Sequence, residues 1–306
     1  MRRPYGIAGA GRASAHLQAY FRLLKVPYKA WGRRSGSGPG EVLSSCHTIF
    51  VLLSDAAIGP FIESHPFLRG RTLVHFSGSL SINGAYAMHP FMPLSSRKLT
   101  LAEYQAIPFA LEPGVSLKRL VPEFRNPVLR VSKEDRPLYH ALCALGANMP
   151  VMLWQKALAG LARFGVTRDE AVRYFRASLD NFSSSPDTAL TGPIARGDTA
   201  TINSDITALG KDPYSGIYSA FEKAYRKEKS PRSPQERAQD RISKTVVEPA
   251  ACIARRTSGR RPLQCTERGH GGRLMRIAPV RHGHRPVAKR VLRSGPANAP
   301  VHVRTR

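Results

Sequence analysis

Pro4-Tyr5-Gly6-Ile7-Ala8-Gly9-Ala10-Gly11-Arg12-Ala13-Ser14 is the stretch whose reading decides the fold. Its first half is a short apolar run suited to a strand, and the glycines follow at once. Ala15 to Leu24 then reads as an amphipathic helix, with Leu17, Tyr20, Phe21 and Leu24 on one face. Strand, glycine turn and helix stand here in the order of a dinucleotide-binding loop. Gly9 permits the tight turn and Gly11 lets the backbone approach a pyrophosphate. The helix start at Arg12 and Ala13 offers free N–H groups and a positive dipole end. Ser14 stands where Gly or Ala is usual. It is small enough for close helix–strand packing, and its hydroxyl is a candidate phosphate ligand.

A second strand, Tyr28 to Trp31, ends at Gly32-Arg33-Arg34-Ser35. A site for NAD would carry Asp or Glu here to bond the ribose 2′-hydroxyl. The place holds two arginines and a serine, which suit the 2′-phosphate of NADP; the plainer reading makes Arg33 and Arg34 solvated turn residues. Thr48 to Leu53 is a continuous apolar run, as in a strand buried on both faces, and Ser54-Asp55 is placed to cap a helix from about Ala56. Thr72 to Phe76 is the next strand, ending at Ser77-Gly78-Ser79, and Ile107 to Leu111 is a further one. Strands alternating with short helices predict an α/β doubly wound Rossmann-type sheet over 1–131. Ligands in such sheets bind beyond the carboxyl ends of strands, which brings Leu53, Ser54, Asp55, Ser77 and Gly78 forward as site residues.

From Lys133 the pattern turns helical, and 132–225 reads as an all-α domain for substrate binding and dimerisation. Leu138 to Leu161 predicts one long helix kinked at Pro150. Asn148 and Gln155, seven apart, share a face and point into one cleft. His140 lies two turns before Asn148 but is rotated by roughly 80°, so it reaches that cleft only at the edge. Thr167 is placed to cap the helix Arg168–Leu179, and Asp198 the helix Thr199–Leu209. Tyr214, Ile217, Tyr218, Phe221 and Tyr225 form a stripe for core or dimer packing.

The whole chain has 306 residues, with 47 Lys and Arg against 21 Asp and Glu, a net charge of +26. Residues 226–306 hold 21 basic and 5 acidic side chains, a net +16, and none of the 24 aromatic residues. Such a segment buries too little apolar surface to offset its ordering entropy, so 226–306 is expected to be a disordered basic tail. It is either a solvated extension or an out-of-frame end of the gene. Arginines there can touch nucleic acid nonspecifically through phosphates, but no aromatic platform accompanies them. A specific nucleic-acid role is therefore not expected. Cys252, Cys265, His270, His282 and His284 match no zinc spacing, and no metal site is expected. No apolar run reaches about 18 residues, so no membrane span is expected. Four cysteines make no disulfide scaffold and fit a reducing cytoplasm; Cys46 and Cys143 read as buried and inert.

Several of these stretches carry a resemblance. Gly9 to Ser14, Trp31 to Ser35, Val51 to Ile58, Val74 to Ser79 and Met88 to Met92 resemble a two-domain family with a Rossmann-like N-terminal part. Its C-terminal part is a domain of unknown function. The family is similar to NADP-dependent deazaflavin reductases, pyrroline-5-carboxylate reductase and the 6-phosphogluconate dehydrogenase superfamily. Ala189-Leu190-Thr191-Gly192-Pro193-Ile194-Ala195-Arg196-Gly197-Asp198 is the most specific motif. The resemblance implies NADP-dependent hydride transfer to or from a small carboxylate-bearing substrate, with ketopantoate-type 2-oxo acid reduction as its specific form. It also implies a homodimer.

Within that frame His89 is the first candidate proton donor, because the His89-Pro90 pair resembles one at the substrate of prephenate dehydrogenase; a structural turn histidine is the alternative. Ser77 is a candidate partner for the nicotinamide amide or the substrate, or else a turn serine. Asn148 is a candidate for the substrate oxygen, or else a polar residue inside the bundle, and His140 is a weaker catalytic candidate. Gln155, Thr191 and Arg196 complete the substrate set, Arg196 as a bidentate carboxylate ligand or a bridge to a dimer partner. Related enzymes use a lysine on the long helix. The nearest here is Lys156, far from His140, which keeps open an NADP-binding regulator without catalysis; a third reading is a nucleic-acid binder acting through the tail.

Overall fold

The computed structural model describes residues 3–230. The expected disorder of the tail and its Cys and His residues fall on 231–306, outside the described residues; of 226–306, the first residues continue the last helix to Lys229.

Five strands, β1 (Tyr5–Ala8), β2 (Tyr28–Trp31), β3 (Thr48–Val51), β4 (Thr72–His75) and β5 (Ala85–Ala87), form a parallel sheet of order β2-β1-β3-β4-β5. The helices between them are α1 (Arg12–Leu23), α2 (Pro39–Leu43) and α3 (Asp55–Ser64). This is a doubly wound Rossmann-type sheet. The chain leaves β1 to one side and returns to the other, so the order reverses between β1 and β3.

Alternation along the central strands sorts side chains into two cores. Ile7, Phe50 and Val74 join the core containing Leu17, Tyr20 and Phe21 of α1. Ala8, Ile49, Val51 and Leu73 join the other, with Leu43 of α2 and Ile58 and Phe61 of α3. Burial on both faces is why these strands read as unbroken apolar runs.

The stretch from Ile107 to Leu111 does form a strand, β7 (Phe109–Leu111), but in a second sheet with β6 (His89–Pro90) and β8 (Val128–Arg130), in the order β6-β7-β8. β7 runs antiparallel to β6 and parallel to β8. Phe109 and Leu111 pack into the first core with Phe124, so this sheet and the helices α4 (Leu101–Ala106) and α5 (Leu117–Leu120) lie over the α1 face.

The rest is helical: α6 (Arg136–Cys143), α7 (Met149–Leu161), α8 (Arg168–Ser184), α9 (Pro193–Arg196), α10 (Thr199–Leu209) and α11 (Tyr214–Lys229). Thr167 caps α8 in a reciprocal box with Glu170, and Asp198 accepts a hydrogen bond from the Thr201 N–H at the start of α10. Instead of a simple proline kink, the long helix carries a π turn at Ala144–Asn148, between α6 and α7. Pro150 lacks an N–H and its ring crowds the carbonyl of residue 146; a widened turn relieves both demands.

His75 on β4 is fully buried, and neither ring nitrogen has a hydrogen-bond partner. Burial, then the nearby Arg136 charge, lowers its pKa to about 4. Unfolded, the ring takes up a proton as pH falls through about 6.5, whereas the folded ring resists until about 4. The fold should therefore lose on the order of 3 kcal/mol at this residue between those limits. Thermal melts of wild type and His75→Leu across that range check this; the variant should show the flatter dependence. Gly9 has φ +137°, and a Cβ there would run into the Leu52 carbonyl oxygen. Gly9→Ala should cost about 2 kcal/mol or more in chemical denaturation.

Candidate functional site

The carboxyl end of β1 is pinned to those of β3 and β2. The Leu52 N–H donates to the Ala8 carbonyl at 2.7 Å, and the Gly9 N–H donates to the Trp31 carbonyl at 2.8 Å. Gly11, the N-cap of α1, is exposed, and a Cβ built there meets nothing within 4 Å. No side chain caps α1 and its first turn carries no acid, so its first N–H groups are left for an anion. Ser14 is different from expectation. It is fully buried, and its hydroxyl donates to the Gly9 carbonyl at 2.7 Å. It braces the glycine turn from behind and does not present itself to a phosphate.

At the end of β2, Ser35 closes the turn by accepting the Gly32 N–H at 2.8 Å. Arg33 and Arg34 are exposed, and neither makes a hydrogen bond or ion pair with the described residues. The only acid close in sequence, Glu41, is engaged in the start of α2, accepting from the Gly38 N–H. The residues present therefore fit a dinucleotide with an additional phosphate on its ribose.

Beyond β3 and β4 the expectations divide. Ser54 occupies the N-cap of α3 without a side-chain cap bond. Asp55 is exposed and accepts hydrogen bonds from Ser77 at 2.8 Å and Ser79 at 3.2 Å. Ser77, buried, also accepts from the Leu80 N–H. Its hydroxyl thus shapes the loop after β4 and is already committed, contrary to its reading as a catalytic group.

The next residue, Gly78, faces two histidines. A Cβ on it would lie 2.5 Å from His140 Cδ2 and 3.1–3.2 Å from the His89 ring. The His89 and His140 rings meet edge to face at 6.0 Å. His89 Nδ1 is 2.9 Å from the Tyr139 hydroxyl. These residues open onto a cavity of about 440 Å³ whose walls include Phe91, Met92, Leu142, Cys143, Ala147 and Asn148. Burial, then the His140 and Arg136 charges, lowers the His89 pKa to about 4, with Asp55 opposing. Tyr139 is pushed well up, first by burial and then by Cys143, so it keeps its proton.

His140 and Asn148 line the same cavity, although their spacing in a regular helix puts them about 80° apart. The π turn explains the difference. It absorbs one residue, so the effective spacing is seven, within about 20° of two full turns. Cys143 is half-buried and lines the cavity, in place of the inert burial expected. Gln155, Thr191 and Arg196 are exposed and do not line it, so the protomer does not bring them to His89 and His140. Lys156 pairs with Asp212 and lies over the Tyr214 ring, so it serves helix packing. Sequence reasoning missed Tyr139 and Arg136, and placed Gly78 at the strand end without its role against the two histidines; each has a meaning only once α6 lies against the loop after β4.

Comparison with known proteins follows this division. Residues 112–225 match a family model described as a domain of unknown function, DUF2520. Together with the sheet, this meets the resemblance read from the motifs. No curated protein matches the chain by sequence. Among solved structures, a protein named as a candidate NADP oxidoreductase from Bacteroides fragilis is 19% identical, with a TM-score of 0.62, over 74% of this chain and 98% of its own. A protein of Thermotoga maritima is 21% identical, with a TM-score of 0.52, over 73% and 97%. An imine reductase of Streptomyces aurantiacus is 14% identical, with a TM-score of 0.52, over 74% and 94%. These likenesses show the fold.

His89 should remain a neutral imidazole from neutral pH down to about 5 and titrate near 4 by NMR. Asp55→Asn removes the charge that supports protonation, so the midpoint should move lower still. Gly78→Ala should separate the two rings and change the ring shifts of both histidines.

Proposed function

We propose that this protein is an NADP-dependent oxidoreductase acting on a small molecule held in the His89–His140 cavity. The observation that carries the reading is the open, uncapped start of α1 beside unpaired Arg33 and Arg34, with no competing acid at the end of β2. The structural neighbour named for NADP oxidoreduction, and an imine reductase of Myxococcus stipitatus solved in complex with NADP+, are consistent with it.

Gly9, Gly11, Arg12 and Ala13 would hold the pyrophosphate against the backbone and the helix dipole. Arg33 and Arg34 would hold the 2′-phosphate, and the segment Leu53–Asp55 would border the nucleotide at the strand-order reversal. When bound, the reduced nicotinamide supplies a hydride. The chain's own residues must then orient the substrate and deliver a proton. His89, with a pKa near 4, is neutral at working pH and acts as a hydrogen-bond donor. In the tautomer that lets the Tyr139 hydroxyl donate to Nδ1, the ring proton lies on Nε2 and can reach the substrate. His140 is exposed enough to exchange protons with solvent, which suits it to supply the proton. Asn148 offers an amide N–H to the substrate oxygen. The ketopantoate-type acid implied by the resemblance needs a cation for its carboxylate, and its candidate, Arg196, does not line this cavity.

The same reading includes a homodimer. Leu138, Leu142, Leu145, Met149 and Met152 are 44–64% exposed and recur at intervals of four and three along α6–α7. After Arg136, Ala171 and Ile202 are the buried apolar residues among those described. A second copy packed on that stripe would remove it from water. Unpaired Cys46 and Cys143 suit a reducing cytoplasm.

Titration of the full chain with NADPH and NADH, followed by nucleotide fluorescence, tests the cofactor. Arg33→Ala with Arg34→Ala should weaken NADPH by about tenfold or more and leave NADH nearly unchanged. Failure of wild type to bind NADPH would sink the reading. Sedimentation should show a dimer that Leu145→Glu dissociates.

A further inference from the structure

Resting on the oxidoreductase reading, we infer that the His89–His140 cavity takes an uncharged ketone or aldehyde with an apolar body, in preference to a 2-oxo acid or an iminium ion. The lining is the first argument. Phe91, Met92, Pro93, Leu142, Cys143 and Ala147 supply carbon and sulfur, while His89, His140, Tyr139 and Asn148 supply the polar contacts. No Lys or Arg is among the lining residues. A carboxylate brought into about 440 Å³ of mostly apolar space loses its hydration and finds no guanidinium or ammonium to replace it, and the proton on His140 is the one the reaction consumes, so it cannot also serve as a standing counter-ion. A carbonyl oxygen needs one or two N–H donors, and the histidines and Asn148 provide them.

The second argument is a cation close behind the wall. Arg136, at the first position of α6, is fully buried. Its Nη2 donates to the Ala87 carbonyl at 3.1 Å and the Ala110 carbonyl at 3.4 Å, while Nε and Nη1 have no hydrogen-bond partner. Ala87 stands two residues before His89 and opposite His75 in the sheet register. The guanidinium is thus locked between the two sheets and cannot pair with a substrate carboxylate, yet its charge is felt at the ring of His89. A fixed positive charge there opposes a cationic iminium. It favours negative charge developing on a carbonyl oxygen. Reduction leaves the former π pair of the C=O bond on that oxygen as hydride from the reduced nicotinamide joins carbon. The balancing proton comes from His140 and is restored from solvent, giving the alcohol.

The test compares three probes of similar size on the full chain: acetophenone, phenylglyoxylate and 3,4-dihydroisoquinoline. Binding is read by saturation-transfer NMR and by the His89 and His140 ring shifts, first without nucleotide and then with NADP+. Acetophenone is expected to bind about tenfold or more tighter than either of the others and to shift both histidines. Met92→Arg, at a wall position that is 38% exposed and outside the α6–α7 stripe, places a cation in the cavity and should reverse the preference toward phenylglyoxylate. Equal or tighter binding of phenylglyoxylate or the imine to wild type overturns the inference, and so does failure of all three to bind. Loss of NADPH binding in the separate nucleotide titration would instead overturn the oxidoreductase reading.

Discussion

The backbone of Gly9 passes so close to the Leu52 carbonyl that no side chain fits between them. That close approach, beside the Leu52 N–H bonded to the Ala8 carbonyl, sets β1 against β3 where the strand order reverses, and the turn into α1 is laid out from it. The chain must turn sharply at φ +137° to enter α1, which leaves the start of that helix open at Gly11. Ser14 fills the space behind the turn with a hydroxyl bonded to the Gly9 carbonyl, so the conformation is fixed from both sides. Phosphate recognition by backbone N–H groups depends on such rigidity, because the donors gain little if they must first be ordered.

A second constraint acts in the helical part. Pro150 cannot complete a regular ladder, and the chain answers with a π turn over Ala144–Asn148. The extra residue taken up there re-phases everything on either side. His140 and Asn148 consequently line the same cavity, and Gly146 and Ala147 of the wide turn also form part of its wall. The proline thus matters to the site through the hydrogen-bonding pattern it forbids, although it does not itself line the cavity.

Electrostatically, the site rests on one buried guanidinium. Arg136 joins the last carbonyl of β5 to a carbonyl within β7 and, together with burial, keeps His75 and His89 neutral. It has no acidic side chain in hydrogen-bonded contact among the described residues. Glu112 supports the charge only through space, and a buried guanidinium without a hydrogen-bonded acid costs folding free energy. What it provides in return is a fixed positive field beside the ring that faces the substrate.

Much of this was legible in the residues alone. The glycine turn at Gly9 and Gly11 and the exposed Arg33-Arg34 turn are legible because strand, turn and helix are adjacent in sequence, and backbone sterics dictate their order. The central strands and the caps Thr167 and Asp198 are legible for the same reason. The committed hydroxyl of Ser77, the buried state of Arg136, the ring of Tyr139 against His89 and the shared cavity of His140 and Asn148 were not. Each arises where elements far apart in sequence meet, and a regular helical wheel misplaces any pair that straddles a π turn. Sequence determined the sheet and the glycine turn into α1, since both follow from short-range geometry. Only the tertiary structure decided which polar groups face the substrate cavity, since that depends on how α6 lies against the loop after β4.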